Sequence, residues 1–175
     1  GYEQWAKIHN LKQAAKTYNF LATHGIEQYG ELTAKIAEVQ AASGQAAEAL
    51  KDVEARLSDM AVLIKNITTY QKTKPAYDAY RKAKDRGSCR AAHERDIILH
   101  EAAVKAIKGA GISKLPDIAA LQTEYAKLQE RKEALYADYG KLKKQVKEYD
   151  VIKRNIDSIL RQPREPEQEK GKERE

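Results

Sequence analysis

The chain has 175 residues with 42% apolar, 33% charged and only 7% aromatic side chains, four prolines and a net charge of +6. Such a composition suits long helices burying a narrow seam and gives too few large apolar residues for a sphere of this size. No run approaches the roughly 18 apolar residues of a membrane span, no signal peptide opens the chain, and one cysteine, Cys89, closes no internal disulfide. A cytoplasmic setting fits that cysteine count, and a first residue of glycine instead of methionine reads as a fragment of a longer chain.

Residues 1–25 predict an N-terminal amphipathic helix over 2–23, with Trp5, Ile8, Leu11, Ala15, Tyr18 and Ala22 on one face and Gly25 at its end. That face is expected to pack on the base of the following helices or against whatever precedes Gly1. Residues 26–72 predict a long coiled-coil helix from about residue 28. From Leu32, the positions Ile36, Val39, Ser43, Ala46, Leu50, Val53, Leu57, Met60, Ile64 and Ile67 follow in steps of 4 and 3. Sustained spacing of this kind marks the buried seam of a coiled coil. Gly44 weakens its helix without breaking the register.

Residues 73–115 read as a basic helical tip. Pro75 is expected to open a short helix through Tyr77 and Tyr80 that Gly87 ends. A second helix is expected from Cys89 to Lys108, with Ile97, Ile98, Val104 and Ile107 inward and Gly109 and Gly111 as stops. Residues 116–162 predict the return helix, with Pro116 in its first turn beside Asp117. Its seam runs Ile118, Leu121, Tyr125, Leu128, Lys132, Leu135, Tyr139, Leu142, Val146, Tyr149, Lys153, Ile156 and Leu160. Gly140 sits inside it, and Lys132 and Lys153 are expected to snorkel along the seam and help fix register. At 1.5 Å per residue both long helices span roughly 65–70 Å. The fold expected is all-α: a long antiparallel helical hairpin with a small helical tip and an N-terminal packing helix, as a monomer. Residues 163–175, charged and proline-containing, predict a disordered tail.

The charge is concentrated. Residues 72–115 hold eleven basic and five acidic side chains, a net of +6 equal to that of the whole chain. Lys72, Lys74, Arg81, Lys82, Lys84, Arg86 and Arg90, interleaved with Tyr77 and Tyr80, form a candidate surface for phosphate contact and base stacking. The plainer reading is that the tyrosines pack the tip and the lysines solvate it. Either way such contacts position a backbone and read no sequence. His93 and His100 share a face but stand about 10 Å apart, too far to ligate one ion. Neither a glycine-rich phosphate loop nor a nucleophile elbow occurs, so no catalytic residue, metal or cofactor is assigned.

Four stretches carry a resemblance: YEQWAKIHNLKQAAKTYNFLATHGI (2–26), YQKTKPAYDAYRKAKD (70–85), HERDIILHEAAVKAIKGAGISKLPDIAALQTEYAKLQERKEALYADY (93–139) and NIDSIL (155–160). In order, they resemble the helical region that follows the nuclease domain in relaxases of Gram-positive conjugative or mobilisable elements. That family nicks one DNA strand with a metal held by histidines and a nucleophile that is commonly tyrosine. Those elements belong to its N-terminal domain and match nothing here. The resemblance therefore implies a non-catalytic accessory arm contacting single- or double-stranded DNA, or relaxosome and transfer-machinery proteins. The alternative is a coiled-coil interaction scaffold with no nucleic-acid role.

Overall fold

The computed structural model describes residues 1–161; the tail expected to be disordered lies outside them. The described chain is all-helical: α1 (Tyr2–Thr23), α2 (Tyr29–Lys82), α3 (Arg86–Ala92), α4 (Glu94–Gly109) and α5 (Ile118–Arg161). It divides into two compact units, one of Gly1–Gln45 with the chain from Tyr139 onward, the other of Ala46–Asp138. In each, α2 and α5 pair antiparallel, as the heptads predict.

The first unit is built on Leu32, Ile36 and Val39 of α2 against Tyr149 and Ile152 of α5, with Phe20, Leu21, Ile26, Val146 and Ile156 packed around them. Steps of 3 and 4 place α2's three residues on one stripe, and the same steps place Val146, Tyr149 and Ile156 on its partner. Ile152, outside that stripe, is buried because α1 covers a second side of α5. The seam frays at its end, where Leu160 is 69% exposed. Lys153 lies beside Asp157 at 2.8 Å, and Asp157 also accepts a hydrogen bond from the Tyr29 hydroxyl at 2.8 Å. Gly44 and Gly140 lie inside α2 and α5, and a Cβ at either meets no atom within 4 Å. Gly44→Ala and Gly140→Ala are each expected to raise stability by up to about 1 kcal/mol, seen as a higher urea midpoint at unchanged slope. A lower midpoint would show that the open space is needed.

α1 packs on the base of the α2–α5 pair, as expected, but by a different face. Trp5, Ile8, Leu11, Ala15, Tyr18 and Ala22 all face outward and are exposed. The packed side carries Thr17, Phe20 and Leu21. Thr17 is 1% exposed at no polar cost, because its hydroxyl donates to the Gln13 carbonyl at 2.8 Å and accepts from Asn155 Nδ2 at 3.1 Å. Phe20 meets Tyr149 edge-on at 5.1 Å and stacks on His24 at 3.9 Å. The helix ends where Gly25 takes a left-handed φ of 63° and Ile26 N–H reaches the Leu21 carbonyl at 2.9 Å, a turn that favours glycine.

In the second unit Val53, Leu57 and Leu128 form a buried cluster flanked by Met60, Tyr125 and Leu135. Lys132 leaves the seam to reach Glu54 on the facing helix at 3.2 Å, which ties α2 to α5 by charge. Four boundaries differ from the sequence reading. α2 does not stop near residue 72 but runs through Pro75 to Lys82; packing of its Tyr70, Thr73 and Tyr77 on α4 outweighs the hydrogen bond that proline removes. Gly87 ends nothing, because the Asp85 carboxylate accepts from Ser88 N–H at 3.1 Å and starts α3 ahead of it. The helix expected from Cys89 to Lys108 breaks at His93, which closes α3 and opens α4. Within α4, Ile97 and Ile107 point inward, but Ile98 is 50% exposed and His100 and Ala103 are buried in its stead. α5 starts at Ile118, so Pro116 lies ahead of the helix instead of in its first turn, and the Asp117 side chain accepts from Ala120 N–H at 3.2 Å.

Candidate nucleic-acid interface

The sequence-predicted residues fall on three consecutive pieces of the second unit. Lys72, Lys74, Tyr77, Tyr80, Arg81 and Lys82 lie on the last turns of α2, Lys84 on the connection, and Arg86 and Arg90 on α3. The structure sorts them into two groups. Lys72, Arg81, Lys82, Lys84 and Arg86 are exposed, and among the described residues none of them forms an ion pair. Such cations are the ones available to a phosphate backbone.

The others are engaged within the protein. Lys74 lies 2.6 Å from Asp78 one turn on; that hydrogen bond holds the ammonium above its ordinary pKa and the carboxyl below its own. Arg90 lies over the Tyr80 ring at 5.7 Å and reaches Glu101 at 3.4 Å, so it joins α3 to both α2 and α4. Tyr77 is half-buried against His100, its ring 4.3 Å away. Tyr80 lies 6.1 Å from Tyr77. Both tyrosines are half-buried and in contact with other side chains of the segment.

While His93 is exposed, His100, set aside above as a metal ligand, is a packed histidine. It is 3% exposed, stacked between Tyr70 at 4.8 Å and Tyr77 at 4.3 Å. Thr73 donates its hydroxyl to the Thr69 carbonyl at 2.7 Å, so its lone pair accepts from His100 Nδ1–H at 3.0 Å. A cleft of about 330 Å³ opens beside it, lined by Tyr77, His100, Glu101, Val104, Lys105 and Lys108. Lys105 and Lys108 thus place two further exposed cations on α4, across the cleft from Tyr77. Their spacing from Glu101 by one and two turns is the signal that could have placed them there.

Burial pushes the His100 pKa down, against the pull of Asp78 and Glu101 upward, with Lys74 adding to the lowering. The unfolded chain therefore takes up a proton before the folded one as pH falls through about 6.5. Its contribution to stability is complete above that pH and is lost below it. Urea midpoints are expected to drop between roughly pH 7.5 and pH 5.5, and the drop should shrink in His100→Gln. Identical pH profiles for the two proteins would contradict this assignment.

Among the described residues no group of three or more His, Cys, Asp or Glu side chains could hold a metal ion, and no helix is long and apolar enough to cross a membrane. No protein-family model, curated protein or solved structure matches the chain.

Proposed function

We propose that the chain is a non-catalytic, DNA-contacting arm, acting as the accessory helical region of a relaxase in conjugative or mobilisation transfer. The observation that supports the DNA contact is the exposed set Lys72, Arg81, Lys82, Lys84 and Arg86, carried by neighbouring pieces of α2, its connection and α3 and left without carboxylate partners among the described residues. Fixed cations on a helical frame hold a phosphate backbone in place without reading sequence. The relaxase assignment rests on the extended resemblance of the four stretches, and it puts strand cleavage elsewhere, on a catalytic domain these residues do not supply. On this reading the arm works in the cytoplasm, on the transferred strand or on relaxosome proteins. The test is fluorescence anisotropy of labelled single- and double-stranded oligonucleotides of unrelated sequence titrated with the chain. Saturable binding with little preference between sequences is expected; no binding at about 50 mM salt contradicts it.

A second reading, a scaffold for protein partners, is favoured by the outward apolar face of α1. The two readings use different surfaces and can both hold.

A further inference from the structure

Helix α1 is apolar on two opposite sides. One side, Thr17, Phe20 and Leu21, is covered by α5 and α2. The other leaves Trp5 60%, Leu11 70% and Tyr18 72% exposed, with Ile8 at 49%. A contiguous stripe of large exposed apolar residues marks an interaction surface, which scattered ones do not.

The outer stripe has a definite form. Trp5, Ile8, Leu11, Ala15, Tyr18 and Ala22 recur at steps of three and four, with three large residues followed by an alanine on either side of Tyr18. That is the spacing of a seam that receives the knobs of another helix. A helix lying in a lipid interface wants a broad arc of bulky side chains with its charges set well back. Here Lys12 and Asn19 fall between Ile8 and Trp5 in helical projection, and two stripe positions are alanine, so the arc is too narrow and too shallow for lipid.

Charge selects the partner further. Lys7 borders the stripe on the Tyr18 side, and Lys12 and Lys16 bracket Trp5 on the other; all three are exposed. Glu3, the only acidic residue of α1, lies about five whole turns before Leu21 and so on the packed side. Two copies paired through this face, parallel or antiparallel, would set lysine against lysine along both edges. We infer that the outer face of α1 is a docking seam for an amphipathic helix of another protein whose apolar stripe is flanked by glutamate or aspartate. This inference is independent of the DNA contact, which uses the second unit.

Trp5 is the chain's only tryptophan and reports directly on the seam. Two synthetic helical peptides with the same leucine–alanine stripe, one flanked by glutamate and one by lysine, are titrated into the full chain while its emission is followed. A saturable blue shift is expected with the glutamate peptide, with binding about tenfold weaker for the lysine peptide. Leu11→Glu with Tyr18→Glu should abolish the shift at unchanged helix content. If that variant loses helix, Lys7→Glu with Lys12→Glu and Lys16→Glu, which leaves every apolar residue in place, should reverse the preference between the peptides. The Arg81, Lys82, Lys84 and Arg86 charge reversals should leave the shift intact. No shift with either peptide, equal shifts with both, a shift seen only with vesicles containing anionic lipid, or a peptide-free shift that follows a dimer in sedimentation each overturns the inference.

Discussion

Replacing Arg81, Lys82, Lys84 and Arg86 together with glutamate is expected to weaken DNA binding by at least about 100-fold near 0.1 M salt. Each cation that meets a phosphate releases a condensed counterion, and that release supplies most of the affinity of sequence-independent binding. If the proposed contact is made by these residues, the four substitutions remove it and add repulsion. All four residues are exposed and free of ion pairs among the described residues, so the variant should keep its helix content. The same change at Lys74 or Arg90 is a poorer probe. Lys74 is bonded to Asp78, and Arg90 links Tyr80 with Glu101, so glutamate there sets carboxylates side by side and loosens α3. Full retention of DNA binding by the fourfold variant would place the contact elsewhere.

Leu32→Ala is expected to cost about 3 kcal/mol of stability, because it removes a buried side chain and leaves a cavity. Leu32 is 2% exposed at the centre of the first unit's core, among Ile36, Val39, Tyr149 and Ile152. Leu11→Ala deletes the same atoms from a residue 70% exposed on the outer face of α1. It should change stability by less than about 0.5 kcal/mol. The first titration therefore reads the core between α2 and α5, and the second reads whether the outer side of α1 is packed. A large loss from Leu11→Ala would reverse the orientation described for that helix; a negligible loss from Leu32→Ala would undo the core itself.

The hairpin was legible because its seam is periodic and local. From Leu32 to Ile67 every stripe position of α2 is buried or half-buried, Ser43 and Ala46 included, and on α5 only Leu160 escapes. The orientation of α1 was not legible for the opposite reason. Counting apolar residues chooses the stripe through Trp5 and Tyr18, whereas the packed side is anchored by Thr17, a polar residue. What makes Thr17 a core residue is Asn155, 138 positions away, and no local pattern announces such a partner. Pro75 misled in a similar way: its local cost is real, but α4 lies against Tyr70, Thr73 and Tyr77 and keeps the helix intact.

In the candidate interface the amount of charge was plain from the sequence and its availability was not. Lys74 and Asp78 sit one turn apart, so their pairing could be read from spacing. Arg90 meets Glu101 only because the chain turns at His93 between α3 and α4. The basic cluster of the sequence thus resolves into cations that hold the segment together and cations that remain open to a ligand.

The most direct measurement is the salt dependence of DNA binding by the full chain and its fourfold variant. If the open cations meet phosphates, the logarithm of the binding constant should fall with the logarithm of salt concentration at a slope of roughly −3 to −4 on duplex DNA, and the variant's slope should flatten toward zero. Binding that ignores salt, or an equally steep slope in the variant, would contradict a DNA contact made by Arg81, Lys82, Lys84 and Arg86.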